Sequence, residues 1–185
     1  GVLAVLGPFN FPAHLPNGHI VPALIAGNAV VFKPSEKTPA SGEFLVQCYH
    51  EAGVPEGAVR LLIGGPDEGR ALASQPGIDG LLFTGSARAG ASLHKQFAET
   101  PSKILALELG GNNPIVAWNP KELDAAAAII VQSAFLSAGQ RCTAARRLIV
   151  EDGKEKELID RITGLMDRII VAEPFAHPQP FMGCL

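Results

Sequence analysis

Three side chains in this sequence have the chemistry needed to oxidise an aldehyde through a thioester. Cys142, in the motif GQRC, offers a sulfur nucleophile, Glu108, in ELGG, offers a carboxylate base, and Asn10, in GPFNFP, offers an amide donor. Cys142 follows Glu108 by 34 residues (142 − 108) and Asn10 by 132 residues (142 − 10). We treat the three as one candidate catalytic set, although they lie far apart in the sequence.

Each of these residues has a simpler interpretation when it is taken alone. A lone cysteine is most often a small buried core residue. A glutamate is most often a solvated charge, and an asparagine shortly before Pro12 is typical of a turn. The presence of all three in one chain favours the catalytic interpretation over the simpler ones.

The composition excludes several classes of function. The 185 residues are 47% hydrophobic and 18% charged, which is typical of a well-packed globular protein of one domain or slightly more. A net charge of −3 and scattered basic residues argue against a nucleic-acid partner. The longest apolar stretches, such as 125–131, fall short of the ~20 residues that a membrane span requires.

The cysteines and histidines predict neither disulfides nor a metal site. The 3 cysteines are odd in number and lack CxxC spacing, and the 5 histidines include no HExxH pair. We therefore expect no resident metal and a reducing, cytoplasmic location. The chain begins directly in a strand-like run without Met or a signal sequence, so we interpret it as a piece of a longer protein.

Apolar runs alternate with helical patterns along the first hundred residues. The patterns predict strands at 2–6, 29–33, 59–63, 80–83 and 104–107, and helices at 15–26, 40–52, 67–74 and 87–97. Alternation of this kind, with short Gly and Pro connections, predicts βαβ units and a parallel sheet covered on both faces. The expected fold class is therefore α/β, a nucleotide-binding architecture by shape.

The pattern changes after Gly111, and a second unit is predicted there. Strands at 114–117 and 147–150 and helices at 123–137 and 154–170 follow. We place the boundary so that the domains are 1–111 and 112–185, with Glu108 at the hinge. Cys142 then falls in the second domain, at an expected helix start, and we expect the site in the cleft between the two domains.

Two turns that follow predicted strands could hold a nucleotide. The segment FTGSARAG opens a helix, where backbone N–H groups and the helix dipole favour a phosphate, although its glycines fit tight packing equally well. The segment KPSE follows the second strand, where an acidic residue could accept hydrogen bonds from a ribose diol. Taken alone, Lys33 and Glu36 of that segment would be surface charges beside a helix start.

Five motifs occur along the chain: GPFNFP, KPSEKTP, FTGS, ELGG and GQRCT. Because they lie in the family's order and at the family's spacing, the chain resembles, along its whole length, the middle portion of the aldehyde dehydrogenase superfamily. The resemblance implies a Rossmann-like parallel sheet of the cofactor-binding domain, followed by the first part of the α/β catalytic domain. It also implies an NAD-dependent enzyme with a small-molecule aldehyde substrate, and a whole protein that forms a homo-oligomer. Around residues 14–20 and GGNNP, the chain is most similar to the branch that oxidises N-succinylglutamate 5-semialdehyde in bacterial arginine catabolism.

The resemblance also implies a role for each site residue. Cys142 would attack the aldehyde as a thiolate, Asn10 and the Cys142 backbone N–H would hold the oxyanion, and Glu108 would activate water to hydrolyse the thioester. Lys33 and Glu36 would contact the adenosine ribose, and Glu36 favours NAD because a carboxylate repels a 2′-phosphate. The residues expected along the pyrophosphate are Gly85, Ser86, Ala87, Arg88, Ala89 and Gly90.

Two departures from the family pattern leave alternatives open. Many members have Lys nine residues after the asparagine, where this chain has His19. The family's later glutamate for the nicotinamide ribose, its substrate loops and its oligomerisation strand lie outside these residues, so we expect the isolated chain to be inactive. The alternatives are another hydrolytic aldehyde dehydrogenase, a CoA-acylating one, a cysteine hydrolase, and a catalytically silent nucleotide-binding module.

Overall fold

The computed structural model describes residues 1–184. The chain forms two compact units. We call Gly1–Leu109 the N-terminal unit and Gly110–Leu185 the C-terminal unit. The division falls two residues before the boundary placed from the sequence. Each unit has a hydrophobic core of its own.

Strands and helices alternate throughout the N-terminal unit. The strands are β1 (Val2–Leu6), β2 (Ala29–Lys33), β3 (Val59–Leu61), β4 (Gly80–Gly85) and β5 (Ile104–Leu109). The helices are α1 (His14–Ile25), α2 (Pro39–Glu51), α3 (Pro66–Ala73) and α4 (Ala87–Phe97). This is the predicted order of elements, and the bounds of β1, β2 and α4 are those expected from the sequence.

The five strands form one parallel sheet in the order β3-β2-β1-β4-β5. β1 lies at its centre, with Val2 opposite Ala29 of β2 and Leu3 opposite Gly80 of β4. The chain therefore moves outward from β1 to β3 on one side and crosses to β4 on the other. The expected α/β fold with a Rossmann-like parallel sheet is confirmed.

Helices cover both faces of this sheet. On one face, α1 and α2 pack on alternate strand residues such as Val5 and Phe32. On the other face, α3 and α4 pack on residues such as Ala4 and Leu81. Because both faces are buried, the strands must be apolar at successive positions, as their sequences are.

Helix α1 forms despite poor helix formers. It contains Gly18 and Pro22, and both residues are unfavourable inside a helix. Three residues spaced along one stripe, Pro16, Ile20 and Ala23, are buried. Packing of that stripe on the sheet therefore supplies the stability that the local sequence lacks.

Within its described residues, 110–184, the C-terminal unit has two parallel strands and two α-helices. Its elements are β6 (Asn113–Ala117), α5 (Leu123–Phe135), a turn with non-helical backbone (Leu136–Gly139), β7 (Ala145–Val150) and α6 (Glu155–Met166). Ala127, Ile130 and Leu158 form the buried centre of its core.

Both helices of the C-terminal unit are shorter than the sequence predicts. The helix predicted over 123–137 ends at Phe135, because the backbone of Leu136 leaves the helical region with ψ 137° and Ser137 then adopts a left-handed conformation with φ 58°. The helix predicted over 154–170 ends at Met166, where the bond from Ile169 N–H to the Met166 carbonyl (3.0 Å) closes a turn. These two expected bounds are wrong.

Candidate functional site

The predicted site residues of the N-terminal unit lie at the carboxyl edge of its sheet. Asn10 follows β1, Lys33 ends β2, Glu36 follows it, and Glu108 is the last residue but one of β5. In doubly wound sheets, ligands bind outside this edge where the strand order reverses. That reversal lies between β1 and β4 here. The fold therefore places these residues at the edge where a ligand site is expected.

Two of the sequence motifs contact each other at this edge. The Gly7 N–H donates a hydrogen bond to the Lys33 carbonyl at 2.9 Å, and the Lys37 Nζ lies 4.8 Å from the centre of the Phe9 ring. Asn10 is half-buried in the same turn. These contacts hold the turn that carries Asn10 against the end of β2.

Lys33 is a buried residue. Only 6% of it is exposed, and its Nζ donates a hydrogen bond to the Pro34 carbonyl at 2.9 Å. Burial lowers the pKa of Lys33, while the carboxylates of Glu36 and Glu68 act in the opposite direction. The interpretation of Lys33 as a surface charge is therefore wrong, whereas Glu36 is exposed.

Ser86 caps the helix that follows β4. Its Oγ accepts a hydrogen bond from the Ala89 N–H at 3.3 Å. The first turn of α4 has no acidic residue, and both Ala87 and Arg88 are exposed. A helix start without acidic residues does not repel an anion, and the binding of a pyrophosphate there stays a prediction.

Packing explains both glycines of this turn. A Cβ added to Gly90 would lie 2.5 Å from the Cδ2 of Leu109, and one added to Gly85 would lie 2.4 Å from the Cζ of Phe83. No side chain fits at either position without a shift of its neighbour. The packing interpretation therefore accounts for these glycines, and their place along a pyrophosphate stays a prediction.

Glu108 shares its surroundings with His19 and Thr84. It is exposed, and it pairs in register with Thr84 on the neighbouring strand, so the two side chains lie on the same face of the sheet. The His19 Nε2 lies 3.4 Å from the Thr84 Oγ1. Burial lowers the pKa of His19, and the charge of Glu108 opposes that shift.

Cys142 lies in a tight turn of the C-terminal unit. The turn spans 141–144 and is closed by a 3.1 Å hydrogen bond from the Ala144 N–H to the Arg141 carbonyl. Cys142 is exposed, so its interpretation as a buried core residue is wrong. The expected helix start is also wrong, because Cys142 follows the turn of Leu136–Gly139 and precedes β7.

The backbone before this turn is strained. Ser137 and Ala138 both have left-handed conformations, with φ 58° and 56°, which cost non-glycine residues energy and tend to occur at functional sites. Arg146 donates to the Gly139 carbonyl at 3.1 Å, and Arg141 donates to the Ser137 Oγ at 3.3 Å. Side-chain hydrogen bonds therefore hold an irregular segment in place.

The contacts of two residues with predicted site residues were not predicted from the sequence. Glu68 of α3 influences the buried Lys33, and Asn113 of β6 donates hydrogen bonds to the Cys142 turn. The one signal for Asn113 is the proline that follows it inside a strand pattern, which indicates an irregularity in strand pairing. No local signal points to Glu68.

Within residues 1–184, no group of three or more His, Cys, Asp or Glu is placed to hold a metal ion. The same residues include no helix with the length and apolar character needed to cross a membrane. The three cysteines, all in this range, are free thiols.

Comparison with known proteins decides the family. A sequence model of the aldehyde dehydrogenase family matches residues 1–185. The chain belongs to the aldehyde dehydrogenase family. It is 67% identical over 183 residues to the N-succinylglutamate 5-semialdehyde dehydrogenase of Novosphingobium aromaticivorans, a match that covers 99% of this chain and 39% of that protein.

Solved structures of the family have the same fold. An NADP-dependent enzyme of E. coli has a TM-score of 0.91 and 35% identity, covering 97% of this chain and 37% of that structure. An NAD-dependent aldehyde dehydrogenase from Sinorhizobium meliloti also has a TM-score of 0.91, with 33% identity over 97% of this chain and 36% of that structure. The chain thus spans well under half the length of the relatives that it matches.

Proposed function

We propose that the whole protein to which this chain belongs oxidises N-succinylglutamate 5-semialdehyde to N-succinylglutamate, with NAD as the oxidant. The observation that carries the proposal is the 67% identity, over 99% of the chain, to a relative named for that substrate. The presence of Cys142, Glu108 and Asn10 in the family motifs supports catalytic competence.

The proposed reaction begins at Cys142. Its thiolate adds to the aldehyde carbon, a C–S bond forms, and the carbonyl electron pair moves to oxygen. The Asn10 amide and the Cys142 backbone N–H donate hydrogen bonds to that oxygen. Bound NAD would supply the acceptor for the hydride that then leaves the carbon, so that the adduct becomes a thioester.

Glu108 completes the reaction. Its carboxylate takes a proton from water, which adds to the thioester carbon, and the C–S bond breaks to release the carboxylic acid and the Cys142 thiolate. The exposure of Glu108 at the carboxyl edge of the sheet supports this role, because a water-activating base needs access to solvent.

Three features of the N-terminal unit support the binding of a dinucleotide. Its sheet reverses strand order between β1 and β4, and the Ser86 start of α4 carries no acidic residue in its first turn. The Lys33 ammonium has three donors, of which the Pro34 carbonyl occupies one. We propose that Lys33 and Glu36 bind the adenosine ribose and that Ser86 and its neighbours bind the pyrophosphate.

Glu36 is the residue that favours NAD over NADP in this proposal. It is exposed, and a 2′-phosphate placed beside its carboxylate would be repelled. Both NAD-dependent and NADP-dependent proteins have this fold, so fold alone does not select between the two cofactors.

The test uses stopped-flow measurement of NADH formation by the whole protein with N-succinylglutamate 5-semialdehyde. The Glu108→Gln variant should keep the first burst of NADH but slow steady turnover by ~10² or more, the usual scale of general-base catalysis. Glu99→Gln is the matched control, because Glu99 is an exposed residue of the same unit.

Each part of the proposal can fail separately. Loss of the burst together with turnover would assign Glu108 to an earlier step or to folding. NADH formation with other aldehydes but not with this one would refute the substrate. A steady rate that requires CoA would favour the acylating branch of the family.

A further inference from the structure

The side chain of Asn113 uses both of its N–H donors on the turn that carries Cys142. Its Nδ2 donates to the Cys142 carbonyl at 2.6 Å and to the Ala144 carbonyl at 3.2 Å. An asparagine amide has two donor hydrogens, so these two bonds account for both. All three residues belong to the C-terminal unit.

The held carbonyl belongs to the central peptide of the turn. Arg141 and Ala144 close the turn through their backbone, which makes Cys142 and Thr143 its two central residues. Rotation of the peptide between those residues interconverts the common turn types. A hydrogen bond to the Cys142 carbonyl opposes that rotation and fixes one orientation of the peptide.

A bulge places Asn113 where it can make these bonds. The pairing of β6 with β7 shifts between Asn113, opposite Ala145, and Pro114, opposite Arg147. Pro114 has no N–H to donate to a strand partner, so the shift occurs where the ladder is already interrupted. The shift leaves Asn113 beside the end of the turn, within reach of two of its carbonyls.

We propose that Asn113 is a positioning residue for the nucleophile. The Sγ, the N–H and the held carbonyl of Cys142 are attached to one stretch of backbone, so a fixed carbonyl limits the rotations that would redirect the thiol and the oxyanion donor. This inference rests on the proposed function, in which Cys142 supplies both groups.

The test compares two aspartate variants of the whole protein. Asn113→Asp keeps the size of the side chain but presents a carboxylate, which accepts hydrogen bonds and cannot donate, to two carbonyls. Asn112→Asp adds the same charge one residue earlier, at an exposed position. The measurement is the rate constant and the amplitude of the NADH burst with N-succinylglutamate 5-semialdehyde, with the melting temperature of each variant.

The rate constant and the amplitude distinguish positioning from stability. A misplaced nucleophile slows the reaction in every folded molecule, so we expect the burst rate constant of Asn113→Asp to fall by ~10², with Asn112→Asp unchanged. A purely structural role would reduce the amplitude and the melting temperature but leave the rate constant of the remaining folded molecules unchanged, and that result would overturn the proposal.

Two further variants of Asn113 cover the case in which Asn113→Asp does not fold. Asn113→Ser retains a single donor and should give a burst rate constant between those of Asn113→Ala and the native protein. Equal rate constants in Asn113→Ala and the native protein would overturn the proposal.

Cys142→Ala separates this inference from the proposed function. Native turnover in Cys142→Ala would refute the function itself, whereas an unchanged burst in the Asn113 variants would refute only the positioning role.

Discussion

Lys33 and Cys142 are both candidate site residues, but the two units hold them by different kinds of contact. Lys33 ends a strand that is paired on both sides in a five-stranded sheet, and the buried core beneath it fixes its place. Cys142 lies in an irregular turn of a unit with two strands, where side chains such as Asn113 and Arg146 donate to backbone carbonyls.

The difference shows what each kind of support requires from the sequence. A strand end is positioned by the backbone ladder and by apolar side chains that can be exchanged for others of similar size. A turn outside the ladder depends on particular donors, because few other side chains present two N–H groups at one point. Substitutions in the N-terminal unit should therefore act through packing, and those around Cys142 through loss of specific hydrogen bonds.

The largest expected effect tests packing around the end of β2. A Cβ added to Gly42 of α2 would lie 2.4 Å from the Cγ of Pro34, a rigid ring. We expect Gly42→Ala to destabilise the protein by about 1–3 kcal/mol, the usual cost of overpacking. Gly18→Ala is the matched control, because a Cβ there meets nothing within 4 Å, and it should stabilise α1 by up to about 1 kcal/mol.

Urea denaturation of the two variants gives both free energies of unfolding. Changes of opposite sign in the free energy of unfolding for Gly42→Ala and Gly18→Ala would indicate that packing holds the Lys33 segment in place. If Gly42→Ala were as stable as Gly18→Ala, the packing account of this region would be wrong.

The second prediction tests whether the turn around Cys142 activates its thiol. Cys48, Cys142 and Cys184 are all exposed, so exposure alone predicts similar reactivity. If the folded turn activates Cys142 as the proposed nucleophile, native Cys142 should react with iodoacetamide ~10-fold faster than the other two.

Mass spectrometry of peptides from the native and the urea-unfolded protein measures these rates. The difference should disappear on unfolding, because it depends on the folded turn. Equal rates for the three thiols in the native protein would contradict an activated nucleophile.

The smallest expected effect concerns His19, which lies in the packed unit but contacts a polar group. Burial lowers the pKa of His19, so the unfolded chain binds its proton more readily than the folded one. The free energy of unfolding should therefore be higher at pH values above the ordinary histidine pKa of about 6.5 and should decrease as the pH falls below that value.

Melting temperatures at pH 7.5 and 5.5 test this dependence. His19→Gln should lose less stability than the native protein between those two pH values, while His94→Gln, at an exposed position of α4, should behave like the native protein. A native pH dependence in His19→Gln would assign the effect to another group.

The sequence predicts the N-terminal unit well because its signals are local. The bounds of β1, β2 and α4 follow from apolar runs between Gly and Pro connections. Placement of Asn10, Lys33 and Glu108 at one edge then follows from the parallel order of the strands. The roles of these residues stay predictions, because they depend on bound molecules.

The surroundings of Cys142 were much harder to predict, for a physical reason. The left-handed Ser137 and Ala138 carry residue types that give no warning of a positive φ. The two Asn113 bonds join residues 29 and 31 positions apart through a register shift, which no periodicity reveals. The charge of Glu68 in α3 also acts on Lys33 only after the sheet has folded, because the two residues lie far apart in the sequence.

The central place of β1 has a consequence for synthesis of the chain. Its first partner, β2, begins at Ala29, but its second partner begins only at Gly80, across a parallel crossover. At a synthesis rate of roughly 5–20 residues per second, one side of β1 waits about 4–15 s for that partner. During this interval the apolar run from Leu3 to Leu6 presents an unpaired strand edge, so the nascent chain is open to edge-to-edge pairing with other strands until β4 has been made.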